Sequence, residues 1–376
     1  MSTSAREWLE RIRELPLQRE VRVLNVCGGH ERTLAQSGLR TVLPALVKVI
    51  PGPGCPVCIC PEEDVFDAIQ LALSQPVILA AFGDMLRVPV SVPKGRARSL
   101  EQAKAAGADV RPLASPEQAL AIARDNPLRT VVFFVAGFET TLAPVAAMIR
   151  QGVPKNLFFL VSGRLTWPAV AMLLQSEEVG FDALVAPGHV ATVMGADEWQ
   201  FVVRDHHMPA AIGGFTAESL AAALYSVLRQ HLEGSPFLDN CYAETARPTG
   251  NRAAQRCLEE TMDIVDAKWR GIGYIPGSGF QLRSELAHLD ARLQFGLQQG
   301  PDRESHREMP PGCDCARVIL GKVLPSDCYL YGRACTPRTP VGPCMVSDEG
   351  ACHVWWSAGT RANPNARPPV IPVSGS

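Results

Sequence analysis

The sequence lacks most of what would carry a protein out of the cytoplasm or onto a polymer. Its opening residues, Met-Ser-Thr-Ser-Ala-Arg-Glu-Trp-Leu-Glu, have no apolar core of the kind an export signal needs. The longest apolar runs, such as 131–137 and 77–82, are too short to cross a bilayer. The 36 Lys and Arg against 38 Asp and Glu leave a net charge of −2. No basic run offers a footprint for nucleic acid, and no block of like charge marks an electrostatic tail. There is no clear internal repeat and no low-complexity linker. These absences predict a cytoplasmic protein that works with neither nucleic acid nor membrane. A length of 376 residues at 47% hydrophobic content allows two or three domains with real cores.

What the sequence does have is cysteine, twelve in all. In a reducing compartment, thiols at this density bind metal, hold a cluster or exchange electrons. Six fall near the C-terminal end: Cys313, Cys315, Cys328, Cys335, Cys344 and Cys352. Fourteen residues separate Cys313 from Cys328, six separate Cys328 from Cys335, and sixteen separate Cys335 from Cys352. This stretch contains no Cys-x-x-Cys, so it is neither a zinc knuckle nor a ferredoxin-type run. Four well-separated cysteines can still hold a [4Fe–4S] cluster where loops converge, and Pro325, Pro337, Pro340 and Pro343 suit such loops. On spacing alone a cluster, a zinc site and unliganded thiols all stay open.

Strand-like runs alternate with helical stretches from about residue 20 to 235, which predicts an α/β protein with parallel sheets and helices on both faces. The expected organisation is two small α/β units, 16–115 and 116–215, facing each other across a cleft. A third region, 216–376, reads as mainly helical and loop-rich, packed with the N-terminal helix of 1–15. In parallel sheets ligands bind beyond the carboxyl ends of the strands. The Gly-rich segments at Cys27, Gly52, Gly83, Gly137 and Gly188 all follow predicted strands directly.

Two of these segments carry thiols. Gly54-Cys55-Pro56-Val57-Cys58 holds a Cys-x-x-Cys, the spacing that lets one thiol resolve a mixed disulfide formed by the other. Gly and Pro fix the turn, so these thiols are expected to be exposed; half of a zinc site is the alternative. Cys60, two residues further on, reads as incidental. Cys27-Gly28-Gly29-His30-Glu31 sets a thiol, an imidazole and a carboxylate at one strand-to-helix corner, where the helix N-terminus favours thiolate. Thiolate and imidazole suit iron or zinc. A nucleophilic Cys–His pair and a buried Cys beside a capping His are the competing readings. Two weaker signals are Gly137-Phe138-Glu139-Thr140-Thr141, with a carboxylate and hydroxyls at a strand end, and Pro187-Gly188-His189-Val190. Either could be ordinary helix capping.

Taken in order, these motifs resemble those of the HypD family of hydrogenase maturation proteins. The likeness covers nearly the whole chain. Its most telling part is Gly-Cys-Asp-Cys at 312–315 followed by the run from Cys335 through Cys344 to Cys352. The resemblance implies a scaffold on which the Fe(CN)₂CO group of [NiFe] hydrogenase is assembled. Implied partners are HypC, which shares the iron, and HypE, which delivers cyanide as a thiocyanate, with HypF upstream of it. The resemblance also implies a [4Fe–4S] cluster on Cys313, Cys328, Cys335 and Cys352, with Cys315 and Cys344 as a nearby redox disulfide. In that setting Cys27 is expected to bind the iron, with His30 beside it. Cys55–Cys58 would exchange electrons, and Glu139 and Thr140 would contact the ligand. The chain departs from the family at Gly163, where a His is common, and in its tail, with Trp355-Trp356 and a Pro-rich finish. Two other readings remain: a cluster-dependent disulfide reductase, which leaves the Cys27 motif without a task, and a zinc-stabilised adaptor protein.

Overall fold

A computed structural model describes residues 4–176, 179–297 and 309–367. Eleven strands are present among the described residues: β1 Val21–Asn25, β2 Val47–Pro51, β3 Ile78–Phe82, β4 Val110–Leu113, β5 Val131–Gly137, β6 Leu157–Arg164, β7 Ala183–Pro187, β8 Ala210–Gly213, β9 Leu238–Asn240, β10 Met262–Trp269 and β11 Gly273–Leu282. They form two sheets, in the orders β2-β1-β7-β8-β9 and β10-β11-β6-β5-β3-β4. The first is parallel throughout. The second is parallel from β4 to β6 and ends in the antiparallel hairpin of β10 and β11. The α/β class with parallel sheets is as expected.

The sheets do not divide the chain at residue 115. β1 and β2 belong to the first sheet, β3 to β6 to the second, β7 to β9 again to the first, and the hairpin to the second. The physical reason is that strands buried on both faces look alike whichever sheet they join. All seven residues of β5 are buried, as are all five of β7, and nothing in Val-Val-Phe-Phe or Ala-Leu-Val-Ala names a neighbour. The hairpin corrects a second expectation, since it lies in a stretch read as helices and polar connections. Its exposed Ile264 and Tyr274 and its three glycines blur the alternation that marks a strand.

Each sheet is covered on both faces. Val21, Val23, Val47, Val49 and Ala211 point to one side of the first sheet, with Leu224 and Val227 of the helix Ala217–Glu233. The N-terminal helix Ala5–Glu14 packs against that same helix, with Trp8 5.3 Å from Tyr225. Leu24, Ile50, Leu184 and Ile212 point to the other side, around the fully buried Trp199. In the second sheet Ile78, Phe133 and Val135 share one core, while Leu79, Val132 and Phe134 face another. That last core also contains Cys55, Cys58, Val318, Ile319, Cys328, Cys335, Cys344, Cys352 and Trp355. The C-terminal segment is therefore built onto a face of the second sheet. Gly163 of β6 lies where a Cβ would come to 3.0 Å from both Leu142 and Phe280. No larger side chain enters there without moving β11.

Candidate functional site

The carboxyl ends of the first sheet gather three sequence motifs. β1 runs into Cys27, which precedes the first turn of the helix Gly28–Gln36. β2 runs into Gly52-Pro53-Gly54, and the Gly28 N–H donates to the Gly54 carbonyl at 3.1 Å. A Cβ on Gly54 would lie 2.4 Å from the Cys27 nitrogen, so only glycine lets the two strand ends approach this closely. β7 delivers His189, whose ring stacks on Phe215 with centroids 3.6 Å apart; Phe215 also meets His30 at 4.9 Å.

His30 is fully buried, and both of its ring nitrogens are engaged: Nδ1 lies 3.0 Å from Asn25 Oδ1 and Nε2 3.0 Å from the Gly213 carbonyl oxygen. Burial pushes its pKa down to about 3, so the ring is neutral and donates to one of these oxygens. These contacts let His30 hold the corner in place. Asn25 Nδ2 donates to the Cys27 carbonyl at 3.0 Å and to Glu31 Oε1 at 2.8 Å. Glu31 Oε2 pairs with Arg40 at 2.6 Å and accepts from Trp355 Nε1 at 3.1 Å. Arg40 lies over the Trp355 ring, 4.7 Å from its centroid.

Cys27 itself is at the edge of burial, 9% exposed. Burial pushes its pKa up to about 12, opposed by backbone N–H groups of His30 and Gly29 and reinforced by the carboxylates of Glu349 and Glu31. The helix terminus is thus outweighed, and the thiolate expected from the sequence is a thiol here. A metal binding at this sulfur would displace its proton.

Cys55 and Cys58 are buried, not exposed as expected. The Cys58 N–H donates to Cys55 Sγ at 3.3 Å across the short helix Pro56–Ile59. Burial raises the Cys58 pKa, and the Cys344 thiol lies near enough to influence it. Cys315 and Cys352 act in the same way on Cys344, and Cys315 on Cys313. Cys60 sits apart, 3.4 Å from Ser162 Oγ, which donates to Asp64 at 2.6 Å.

Of the four cysteines expected to hold a cluster, Cys313, Cys328 and Cys335 come from separate loops and Cys352 from the helix Ala351–Ser357; no two cysteines form a disulfide. Among the described residues no three His, Cys, Asp or Glu side chains form the shell of a single metal ion. A cluster fits the donor set better than one ion does: its irons are held by thiolates that backbone N–H groups can stabilise. The Val341 N–H points at Cys335 Sγ at 3.4 Å. Gly342 forms a cradle, since a Cβ there would meet Cys313 Sγ at 2.4 Å and Cys315 Sγ at 2.6 Å. Burial pushes the Cys335 pKa up to about 11, so loading the site would release protons.

Glu139 is not brought to the Cys27 corner by any contact. It is fully buried, and its carboxylate accepts from the Thr166 backbone N–H at 2.6 Å and the Thr166 hydroxyl at 2.8 Å. It thereby closes the first turn of the neighbouring helix Thr166–Leu174, the capping role left open by the sequence. Burial pushes its pKa up to about 7, and its charge raises that of Glu198. Thr140 is half-buried beside it.

Sequence reasoning passed over Asn25, Arg40 and Trp355. Asn25 was visible as a polar residue ending an apolar strand; the other two are 9 and 324 residues from Glu31 and carried no local signal. Trp355, in the tail expected to be individual to this chain, is tied into the Cys27 corner. The Pro-rich finish beyond residue 367 lies outside the described residues.

The chain matches a family model described as "HypD: Hydrogenase formation hypA family" over residues 3–359. It is 38% identical over 366 residues to the hydrogenase maturation factor HypD of Azotobacter vinelandii, covering 95% of this chain and 94% of that one. It is 38% identical over 348 residues to HypD2 of Bradyrhizobium diazoefficiens, covering 90% and 89%. It is 36% identical over 343 residues to HypD of Escherichia coli strain K12, again covering 90% and 89%.

Proposed function

The chain belongs to the HypD family of hydrogenase maturation factors, and from that premise we propose that it is the scaffold, shared with HypC, on which the Fe(CN)₂CO group is built. Cys27 holds the iron cargo together with a ligand supplied by HypC. Cyanide arrives as a thiocyanate on HypE. The observation that carries this reading is the placement of thiols between the C-terminal loops and the Cys27 corner: Cys315 and Cys344 share a buried core with Cys58, the Cys58 N–H meets Cys55 Sγ, and the neighbouring Gly54 abuts Cys27.

Cleaving a thiocyanate needs two electrons. A thiocyanate and a dithiol give a thiol, hydrogen cyanide and a disulfide, which balances atoms and electrons. Cys55–Cys58 is the dithiol closest to the cargo, and Cys315–Cys344 is placed to restore it by exchange. Such exchange needs one thiol to lose its proton, and the raised pKa of Cys58 keeps the pair inert until a partner alters its surroundings. A [4Fe–4S] cluster on Cys313, Cys328, Cys335 and Cys352 supplies single electrons when bound. His30 and Asn25 hold the Cys27 backbone in place while the cargo changes ligands. Glu139 closes the first turn of the helix Thr166–Leu174.

The direct test is infrared spectroscopy on this protein purified anaerobically with HypC from cells that express the other maturation factors. Bands in the cyanide and carbonyl stretching region are expected. A complex that carries iron but neither band would overturn the scaffold reading and favour a disulfide reductase.

A further inference from the structure

Beyond the thiols, the connection after β3 and the C-terminal loop at Arg338 together present a concentration of positive charge at odds with a net charge of −2. Lys94, Arg96, Arg98 and Arg338 are exposed, and Arg87 is half-buried beside them. They line two adjoining clefts, of about 530 and about 380 Å³, which share Arg98 and Gln102. None of the five is within ion-pair distance of a carboxylate among the described residues; Arg87 is tied to the Pro337 carbonyl. Glu101 is the one acidic residue lining the clefts. Unpaired cations held this close raise the local potential and steer anionic partners.

The position of these charges gives them a use. The smaller cleft is walled by Pro340 and Val341. The N–H of Val341 points from that wall to Cys335 Sγ at 3.4 Å, and the next residue, Gly342, lies against Cys313 and Cys315. One thickness of chain thus separates the cationic cleft from the buried sulfurs. A small uncharged reductant needs no such surface, and the nearness of the sulfurs favours a partner that carries electrons.

We propose that this cleft is the docking surface for a small acidic iron–sulfur electron carrier, which passes electrons through the 340–342 loop to the sulfur centre. The proposal rests on the cluster reading of Cys313, Cys328, Cys335 and Cys352. Two reduced carriers, each giving one electron, and two protons from water convert a Cys315–Cys344 disulfide to two thiols and leave two oxidised carriers. Weak, charge-steered, small-area contact is what electron-transfer encounters require.

The test uses full-length protein and the double variant Arg98→Glu/Arg338→Glu, with a plant-type [2Fe–2S] ferredoxin of net negative charge as probe. Binding of the oxidised, fluorescently labelled ferredoxin is followed by anisotropy. The wild type should lose about tenfold in affinity between roughly 50 and 500 mM salt, and the variant should be about tenfold weaker already at low salt. Stopped-flow absorbance with reduced ferredoxin should show the same loss in rate. Reduction by photochemically generated, uncharged deazaflavin radical should be equal in both proteins, which excludes a misfolded variant. Wild-type affinity and wild-type rate in the double variant would overturn the proposal. Iron and sulfide analysis judges the cluster reading separately. If no cluster is present, the binding arm alone still decides the docking surface.

Discussion

At the end of β1 each polar group around Cys27 has a partner of a different kind: Asn25, His30, Glu31, Arg40 and Trp355 satisfy one another in a single hydrogen-bonded chain. In the sulfur region the partners are alike, the thiols of Cys58, Cys344, Cys315 and Cys352 gathered in one buried core. The first arrangement is almost fully paired without any ligand, one nitrogen of the neutral His30 ring excepted, because buried polar groups left unpaired are costly. The second is not. Thiols are weak hydrogen-bond partners, and the loops that carry them have little regular structure of their own. The corner is held by its own hydrogen bonds; the sulfur region, on the proposed reading, depends on what it binds. Glu31 joins the two through Trp355, three residues after Cys352 in the same helix.

The comparison breaks most visibly if the sulfur region stands without its ligand. Cys328→Ala should abolish the visible absorbance of an iron–sulfur centre in anaerobically purified protein. It should also make residues 309–367 the first segment cut in limited proteolysis, with the first sheet still protected. A full complement of iron and sulfide in that variant would remove Cys328 from the ligand set.

Next in size is the exchange pair. Cys58→Ala should keep the cluster absorbance and lose hydrogenase maturation, because exchange needs both thiols. Thiol counting before and after reduction should show a two-thiol difference in the wild type that the variant lacks. Full maturation by Cys58→Ala would make the pair structural.

Glu139 sharpens the contrast from outside both regions. Its pKa is pushed from the ordinary carboxyl range to about 7 in the folded state. The folded protein then holds a proton that the unfolded chain releases, so stability from this group is full below about pH 4.5 and falls as pH rises toward 7. Glu139→Gln should flatten that fall, by a few kcal/mol at most, while leaving cyanide delivery intact. Urea titrations at several pH values read the first effect and the infrared bands the second. Loss of cyanide bands in a stably folded Glu139→Gln protein would return Glu139 to the ligand.

The smallest effect is at the bridge. Trp355→Phe removes one hydrogen bond to a carboxylate that Arg40 still holds, so it should cost about 1–2 kcal/mol. It should also raise the rate at which iodoacetamide labels Cys27, with cluster absorbance unchanged. An unaltered labelling rate would mean that the corner does not depend on the C-terminal helix.

Much of this was legible in the sequence. The strand ends at Cys27, Gly52, Gly137 and Gly188 are where the apolar runs said they would be. Which sheet each strand joins was not legible, because β5 and β7 are buried on both faces and carry no mark of a partner. Nor was the burial of Cys55 and Cys58, since a Gly-Pro turn looks the same whether solvent or the loop of Cys344 lies over it. Glu139 was misread for a related reason: a carboxylate after a strand can face a ligand or close a helix, and only the position of Thr166 distinguishes the two.

The central claim is that Cys27, far in sequence from the cluster cysteines and held by its own network, carries the iron cargo. Infrared spectra of Cys27→Ala purified with HypC test it most directly. The account predicts an unchanged iron–sulfur absorbance, a HypC complex that still forms because an interface draws on many contacts, and no cyanide or carbonyl bands. Both sets of bands at wild-type strength in that complex would contradict it and place the iron elsewhere.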